Sequence, residues 1–284
     1  MKNIGININS SKDKDEKILN AALDIINNTF DRPEIKVFKD ARGFTGENNK
    51  DLDMLISFGG DGTILGTARE ICSYNIPILG VNIGNLGFLT EVAFSDFEVA
   101  LKAIYEGNYT IEDRMMLDCK MSSRSGDSEF IALNDIVLSK GTLARMVGYS
   151  IYIDDKFYTT FTADGVIIST PTGSTAYSLS AGGPLIYPNL NLISITPICP
   201  HSIGVRTLVS DGNSKVVVSV NKNHDSVFLT IDGQKSVEVY EDDIITISSS
   251  EVKCKLIKLG NYNYFNILRK KITSKSKECE GDRI

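Results

Sequence analysis

With 284 residues, of which 42% are hydrophobic and 23% charged, the chain has the make-up of a soluble globular protein with one large domain or two ordinary ones. A formal net charge of -6 argues against a general nucleic-acid binder, so any anionic ligand must be held by local geometry. No run of 18 apolar residues exists to span a membrane, and no apolar leader with a cleavage site is visible. The five cysteines (Cys72, Cys119, Cys199, Cys254, Cys279) never form a Cys-x-x-Cys pair, which predicts free thiols and a cytoplasmic protein.

Taken in order, Ile4, Ile6 and Ile8 alternate as a first strand, and Ser10 to Asp13 can cap a helix carrying Ile18-Leu19, Ala22-Leu23 and Ile25-Ile26. Ile35-Lys-Val-Phe38 reads as a short strand, and the polar segment to Asp51 as a mobile loop. Met54-Leu-Ile-Ser-Phe-Gly59-Gly60-Asp61-Gly62-Thr63 is an apolar strand that stops at a glycine-rich loop, after which Ile64 to Arg69 continues as a helix. Ile76-Pro-Ile-Leu-Gly-Val-Asn82 is a further strand, and Ser95-Asp96 caps a helix through Val99, Leu101, Ile104 and Tyr105. Strands alternating with helices predict a doubly wound parallel α/β domain over residues 1–110, with ligands at the carboxyl ends of its strands. From 111 to 258 short β-rich runs are divided by turn signals, which predicts a larger antiparallel β domain. Residues 259–268 then cross back to the first domain, and the lysine-rich end from Lys270 frays.

Three glycines in four positions around Asp61 remove the Cβ atoms that would keep a ligand off the backbone, and a helix N-terminus behind them favours an anion. A carboxylate among phosphates is tolerable if it binds a bridging metal or takes a proton from the attacking hydroxyl. Asn134-Asp135 is a polar pair inside an expected strand, facing a ligand or marking a strand end. Residues 162–184 pack glycines and hydroxyls around one buried strand and read as a binding surface, in which Tyr177 offers a flat face for a base. Ile231-Asp232-Gly233-Gln234 reads as a hairpin turn. There is no P-loop, no Gly-x-Gly-x-x-Gly helix opening and no Gly-x-Ser-x-Gly elbow; His201 and His224 stand apart, so no metal ligands are assigned, and His201 reads as a buried hydrogen-bonding side chain.

Gly59-Gly-Asp-Gly-Thr63, Asn85-Leu-Gly-Phe-Leu-Thr90, Asn134-Asp135, residues 164–184, Thr196-Pro-Ile-Cys-Pro-His201 and Asp232-Gly-Gln234 together resemble bacterial NAD kinases, over residues 4–268. The resemblance implies transfer of the γ-phosphate of ATP, with Mg²⁺, to the 2′-hydroxyl of the adenosine ribose of NAD, giving NADP, with Asp61 as general base. It places Gly59, Gly60, Gly62 and Thr63 on phosphates. Asn134, Thr175 and Tyr177 go around the adenine and Asp135 on ribose hydroxyls. Asp164 and Ala176 meet the nicotinamide end, with Phe88 lining the pocket. Arg145, Thr162, Thr172 and Gln234 match ligand-contacting positions, and Ser178, Leu179 and Ser180 complete the wall. Two positions depart from the family pattern, which usually has Asn-Glu at 134–135 and often a basic residue at Thr162. The family forms homodimers and homotetramers. Polyphosphate is an alternative donor, and a diacylglycerol-type lipid kinase or a non-catalytic dinucleotide-binding module are alternative functions.

Overall fold

The computed structural model describes residues 1–44, 51–84, 87–124, 126–141, 145–202, 204–221, 226–260 and 262–279, the last eight by backbone alone. Residues 45–50 of the expected loop, Asn85, Leu86 and His224 lie outside the described residues.

Strand β1 (Asn3–Ile8) is buried almost throughout, as befits a strand covered on both faces of a parallel sheet. It pairs in parallel with β2 (Glu34–Lys39) on one side and with β3 (Met54–Gly59) on the other. β3 pairs with β4 (Ile78–Asn82), which also pairs with the two-residue β5 (Val92–Ala93). The same seven-stranded sheet takes in β19 (Cys254–Leu259) and β6 (Tyr109–Arg114), in the order β2-β1-β3-β4-β19-β6. Helices α1 (Lys17–Thr29) and α3 (Phe97–Tyr105) pack on this sheet through Leu19, Ala22 and Ile26 and through Phe97, Ala100, Leu101 and Ile104. Asp13, three residues ahead of the left-handed N-cap Glu16 of α1, accepts on its two carboxylate oxygens from the Ile18 and Leu19 N–H groups at 3.0 and 2.9 Å. The expected Ser95-Asp96 cap on α3 makes no side-chain hydrogen bond; a single 3₁₀ turn, 94–96, starts that helix instead.

Beyond β6 the strands form two six-stranded sheets in which every pairing is antiparallel. One runs β11 (Lys156–Ala163), β10 (Val147–Ile153), β15 (Val216–Val220), β18 (Ile244–Ser249), β7 (Leu117–Ser123), β8 (Gly126–Ala132). The other runs β14 (Leu208–Asp211), β13 (Leu192–Ile198), β12 (Gly165–Ser169), β9 (Asp135–Lys140), β16 (Val227–Ile231), β17 (Lys235–Val239). Alternate residues of both, including Leu117, Tyr149, Val218 and Ile247 against Ile136, Leu138, Ile168 and Leu229, share one core, so the two sheets form a sandwich. β9, β12 and β13 are buried on their outer face too, where Val137, Ile167 and Ile198 pack with Ala181. The hydroxyl-rich stretch is therefore the cover of that face.

Two compact units emerge, one of residues 1–64, 76–112 and 256–284 and the other of residues 65–75 and 113–255. Helix α2 (Asp61–Ile71) contributes to both. The return of the chain begins earlier than residue 259, because β19 already lies in the parallel sheet, beside β4 through Leu256 and Ile78. Helix α5 (Tyr264–Cys279) takes in the described part of the lysine-rich segment. Among the described residues no helix is long and apolar enough to cross a membrane.

Candidate active site

In the α/β unit the strand order changes direction between β1 and β3, because β2 lies to one side of β1 and β3 and β4 to the other. Such a switch point, at the carboxyl ends of the strands, is where open α/β sheets bind ligands. Gly59 ends β3 there, and a Cβ on it would stand 2.1 Å from Thr63 Oγ1, so only glycine lets the chain turn so tightly into α2. Gly60 starts the helix, its carbonyl accepting from the Thr63 and Ile64 N–H groups at 2.9 and 3.3 Å. Asp61 occupies the first turn, half-buried, with Gly62 exposed beside it.

The segment after β4 wraps the Asp61 carboxylate. The N–H of Phe88 donates to Oδ2 at 2.8 Å, and those of Leu89 and Thr90 donate to Oδ1 at 3.0 and 3.2 Å. The Thr90 hydroxyl lies 3.5 Å from Oδ1 and accepts from the Asn82 amide at 3.1 Å and the Gly87 N–H at 3.0 Å. Asn82 and Thr90 are both buried, so the carboxylate rests on a fixed frame. Gly87 makes this approach possible, since a Cβ there would fall 1.7 Å from Asp61 Oδ1. Neither Asn82 nor Thr90 has a local sequence signal for this role, although Thr90 closes the 85–90 motif. The same is true of Lys12, whose ammonium stands 3.4 Å from the position of a Cβ on Gly60 and equally 3.4 Å from one on Gly84.

The remaining nominated residues lie in the β-rich unit. Asn134 precedes β9 and Asp135 opens it, so the polar pair marks a strand start rather than a strand interior. Both line a cavity of about 390 Å³ with Ala176, Tyr177, Thr230, Asp232 and Gly233, and Tyr177 is 47% exposed, a ring open to stacking rather than a core tyrosine. Asp232 organises this cavity. Its side chain is fully buried and accepts from the N–H groups of Asn134 at 2.7 Å and of Leu133 and Asp135 at 3.2 Å. Arg69 pairs with it at 2.7 Å and donates to Gln234 Oε1 at 2.5 Å. Asp232 (φ 49°) and Gly233 (φ 65°) both take left-handed backbone at the centre of the β16–β17 turn, which the Gln234 N–H closes on Ile231 O at 2.9 Å. Burial, and then the charge of Asp232, push the Asp135 carboxyl up to about 7.

The 162–184 stretch divides between cover and cavity. Thr170 Oγ1 donates to Leu133 O at 2.6 Å, and Gly173 sits so close to the Asn134 carbonyl that a Cβ would be 2.2 Å away. Thr172 is buried, 3.4 Å from the guanidinium of Arg114. Ser178, in the single turn α4 (Tyr177–Ser180), is buried with its hydroxyl 3.2 Å from that of Thr196. Thr175, Ala176 and Leu179 are half-buried, and Ser180 is exposed. Thr162 and Arg145 are exposed on β11 and just before β10, while Asp164 pairs with Lys140 at 2.9 Å. His201 is exposed rather than buried, held through its backbone N–H on Thr162 O at 2.9 Å. Cys72, Cys119 and Cys254 are buried and Cys199 is exposed, and none of the four is in a disulfide.

The ATP-NAD kinase N-terminal domain matches residues 5–109 and the ATP-NAD kinase C-terminal domain matches residues 133–259. The chain belongs to the ATP-NAD kinase family. Among its relatives, an NAD kinase of Clostridium botulinum is 52% identical over 282 residues, covering 99% of this chain and 100% of that protein. An NAD kinase of Clostridium beijerinckii is 48% identical with both chains covered completely. In solved structures the fold is similar to an NAD kinase from Archaeoglobus fulgidus in complex with ATP, at 28% identity and a TM-score of 0.73, covering 96% of this chain and 99% of that one. Yeast NADH kinase complexed with NADH shares the fold at 23% identity and a TM-score of 0.78, covering 96% of this chain and 88% of that one. ATP-NAD kinase sequences thus align with both units, where a lipid-kinase reading would have explained the Asp61 loop alone.

Proposed function

We propose that the chain transfers the γ-phosphate of ATP to the 2′-hydroxyl of the adenosine ribose of NAD, with Asp61 as the general base. The observation that carries the role of Asp61 is its carboxylate, held by three backbone N–H groups at the mouth of the glycine-rich loop. In the step itself the hydroxyl oxygen forms a bond to the γ-phosphorus, and its proton passes to Asp61. The bond from that phosphorus to the β,γ-bridging oxygen breaks, and ADP leaves with the electron pair. Positioning supplies most of the rate, and general-base help of roughly 10²–10⁴-fold is what Asp61 adds.

The cavity of the β-rich unit suits the adenosine half of NAD, with the exposed Tyr177 ring for the base and Asn134 and Asp135 for polar edges and ribose hydroxyls. Asp164, paired with Lys140, and Ala176 are assigned to the nicotinamide end by family likeness. Magnesium bound to ATP would neutralise phosphate charge. Such an ion keeps most of its shell as water and phosphate oxygen and takes one or two carboxylates from a protein. The ion would be held by the phosphate oxygens of its nucleotide and by water, which leaves the Asp61 carboxylate to take the proton.

The test is NADP formation from NAD, ATP and Mg²⁺, read by a coupled dehydrogenase, for the wild type and Asp61→Asn. Asparagine keeps one oxygen for the Leu89 and Thr90 N–H groups but turns a donor toward that of Phe88. The variant is expected to bind NAD, to melt slightly earlier and to lose kcat by about 10²–10⁴-fold. An equally active variant would remove the base role while leaving the reaction. No NADP from folded wild type, with ATP or polyphosphate, would remove the reaction.

A further inference from the structure

A phosphate chain drawn to the glycine-rich loop meets the negative charge of Asp61, and a cation beside that loop is the simplest offset. The loop after β1 provides one. Asn9 shapes it: its side-chain oxygen accepts from the Ser11 N–H at 3.1 Å and the Ser11 hydroxyl at 2.6 Å, and its carbonyl accepts from the Lys12 N–H at 3.1 Å. The Asn9 amide also donates to Thr63 Oγ1 at 3.2 Å, tying this turn to the first turn of α2. The Lys12 side chain leaves a turn built to present it, and its ammonium lies between Gly60 and Gly84. Both are positions where the backbone is bare, one on the loop that starts α2 and one after β4.

We propose that Lys12 is a phosphate-binding residue for the donor, its ammonium taking an anionic oxygen at the reacting end of the ATP triphosphate. The inference rests on the kinase reading above. Lys12 follows β1 and Asp61 follows β3, so the two charges flank the switch point of the sheet, cation on one side and base on the other. As the hydroxyl oxygen bonds to the γ-phosphorus and the bond to ADP breaks, charge moves onto phosphate oxygens, and a lysine there stabilises it as a point charge. No proton is exchanged with Lys12, and no covalent bond to it forms.

The experiment compares the wild type with Lys12→Met and Lys12→Arg in steady-state kinetics and in calorimetric binding of inorganic tripolyphosphate with Mg²⁺. Lys12 is exposed, so methionine should leave the fold intact. Lys12→Met is expected to raise KM for ATP and weaken tripolyphosphate binding by about tenfold to a hundredfold, the worth of one charged hydrogen bond. KM for NAD and the thermal midpoint should hold, and Lys12→Arg should recover most of the loss. Unchanged KM for ATP and unchanged tripolyphosphate binding in Lys12→Met would overturn the role of Lys12. An equal rise in both KM values with a lowered midpoint would overturn it too, as the mark of a structural effect. If folded wild type makes no NADP, the kinase reading falls on its own, and tripolyphosphate binding still decides for or against Lys12.

Discussion

Asp135 is a carboxylic acid placed where its charge is costly. Only 4% of it is exposed, and burial together with the Asp232 carboxylate raises its titration to about 7. In an unfolded chain an aspartate titrates near about 4. Between those values the folded state keeps a proton that the unfolded state has released, so the contribution of Asp135 to stability is full below about pH 4 and is lost as pH rises through about 7. For the ligand the sign reverses, because a ribose hydroxyl donates to the ionised form. The KM for NAD is therefore expected to fall by up to about tenfold between pH 6 and 8, and Asp135→Asn to abolish that dependence while removing the alkaline loss of stability. A flat KM profile in the wild type would show that Asp135 takes no ribose hydroxyl.

At the scale of elements, the second half of α2 and the β16–β17 turn form a single device. Arg69 neutralises a fully buried Asp232, which in turn fixes three N–H groups ahead of β9. Removing the guanidinium leaves a buried charge without its partner, and Arg69→Met is expected to cost about 3–5 kcal/mol of stability, measured as a lower midpoint in urea. KM for NAD should rise with it, as Gln234 and the cavity wall loosen. Periodicity revealed β1 and α1, and an apolar run halted by glycines revealed β3, because these signals are local, and Asp232-Gly233 announced its turn because two adjacent left-handed residues have few substitutes. That the Asp232 carboxylate would reach Asn134, 98 positions away, has no local signature. The same holds for Lys12 beside Gly84 and for Asn82 on Thr90. His201 is exposed where a buried side chain is expected, because burial depends on neighbours from distant parts of the chain.

For the whole molecule the telling fact is connectivity. The seven-stranded sheet is made of strands from residues 3–114 and closed by β19, which sits between β4 and β6. A chain ending at Lys253 would keep every strand of the sandwich and lose one from the middle of the other sheet, leaving unpaired edges on β4 and β6 and uncovering the apolar residues that Ile257 packs against. Such a chain is expected to aggregate, or to show a protease-resistant sandwich beside a digestible N-terminal part. A soluble, fully protected product would contradict this account.

The same connectivity sets a schedule for synthesis on the ribosome. Domains ordinarily fold in the order in which they emerge, at about 5–20 residues per second. Here the portion translated first must hold an unfinished sheet, on the order of ten seconds or more, while the sandwich is made and can close. The N-terminal unit is thus begun first and completed last. Its glycine-rich loop acquires a finished support only once β19 has been made, so a translation product truncated ahead of Cys254 would carry the Asp61 motif without a complete sheet beneath it.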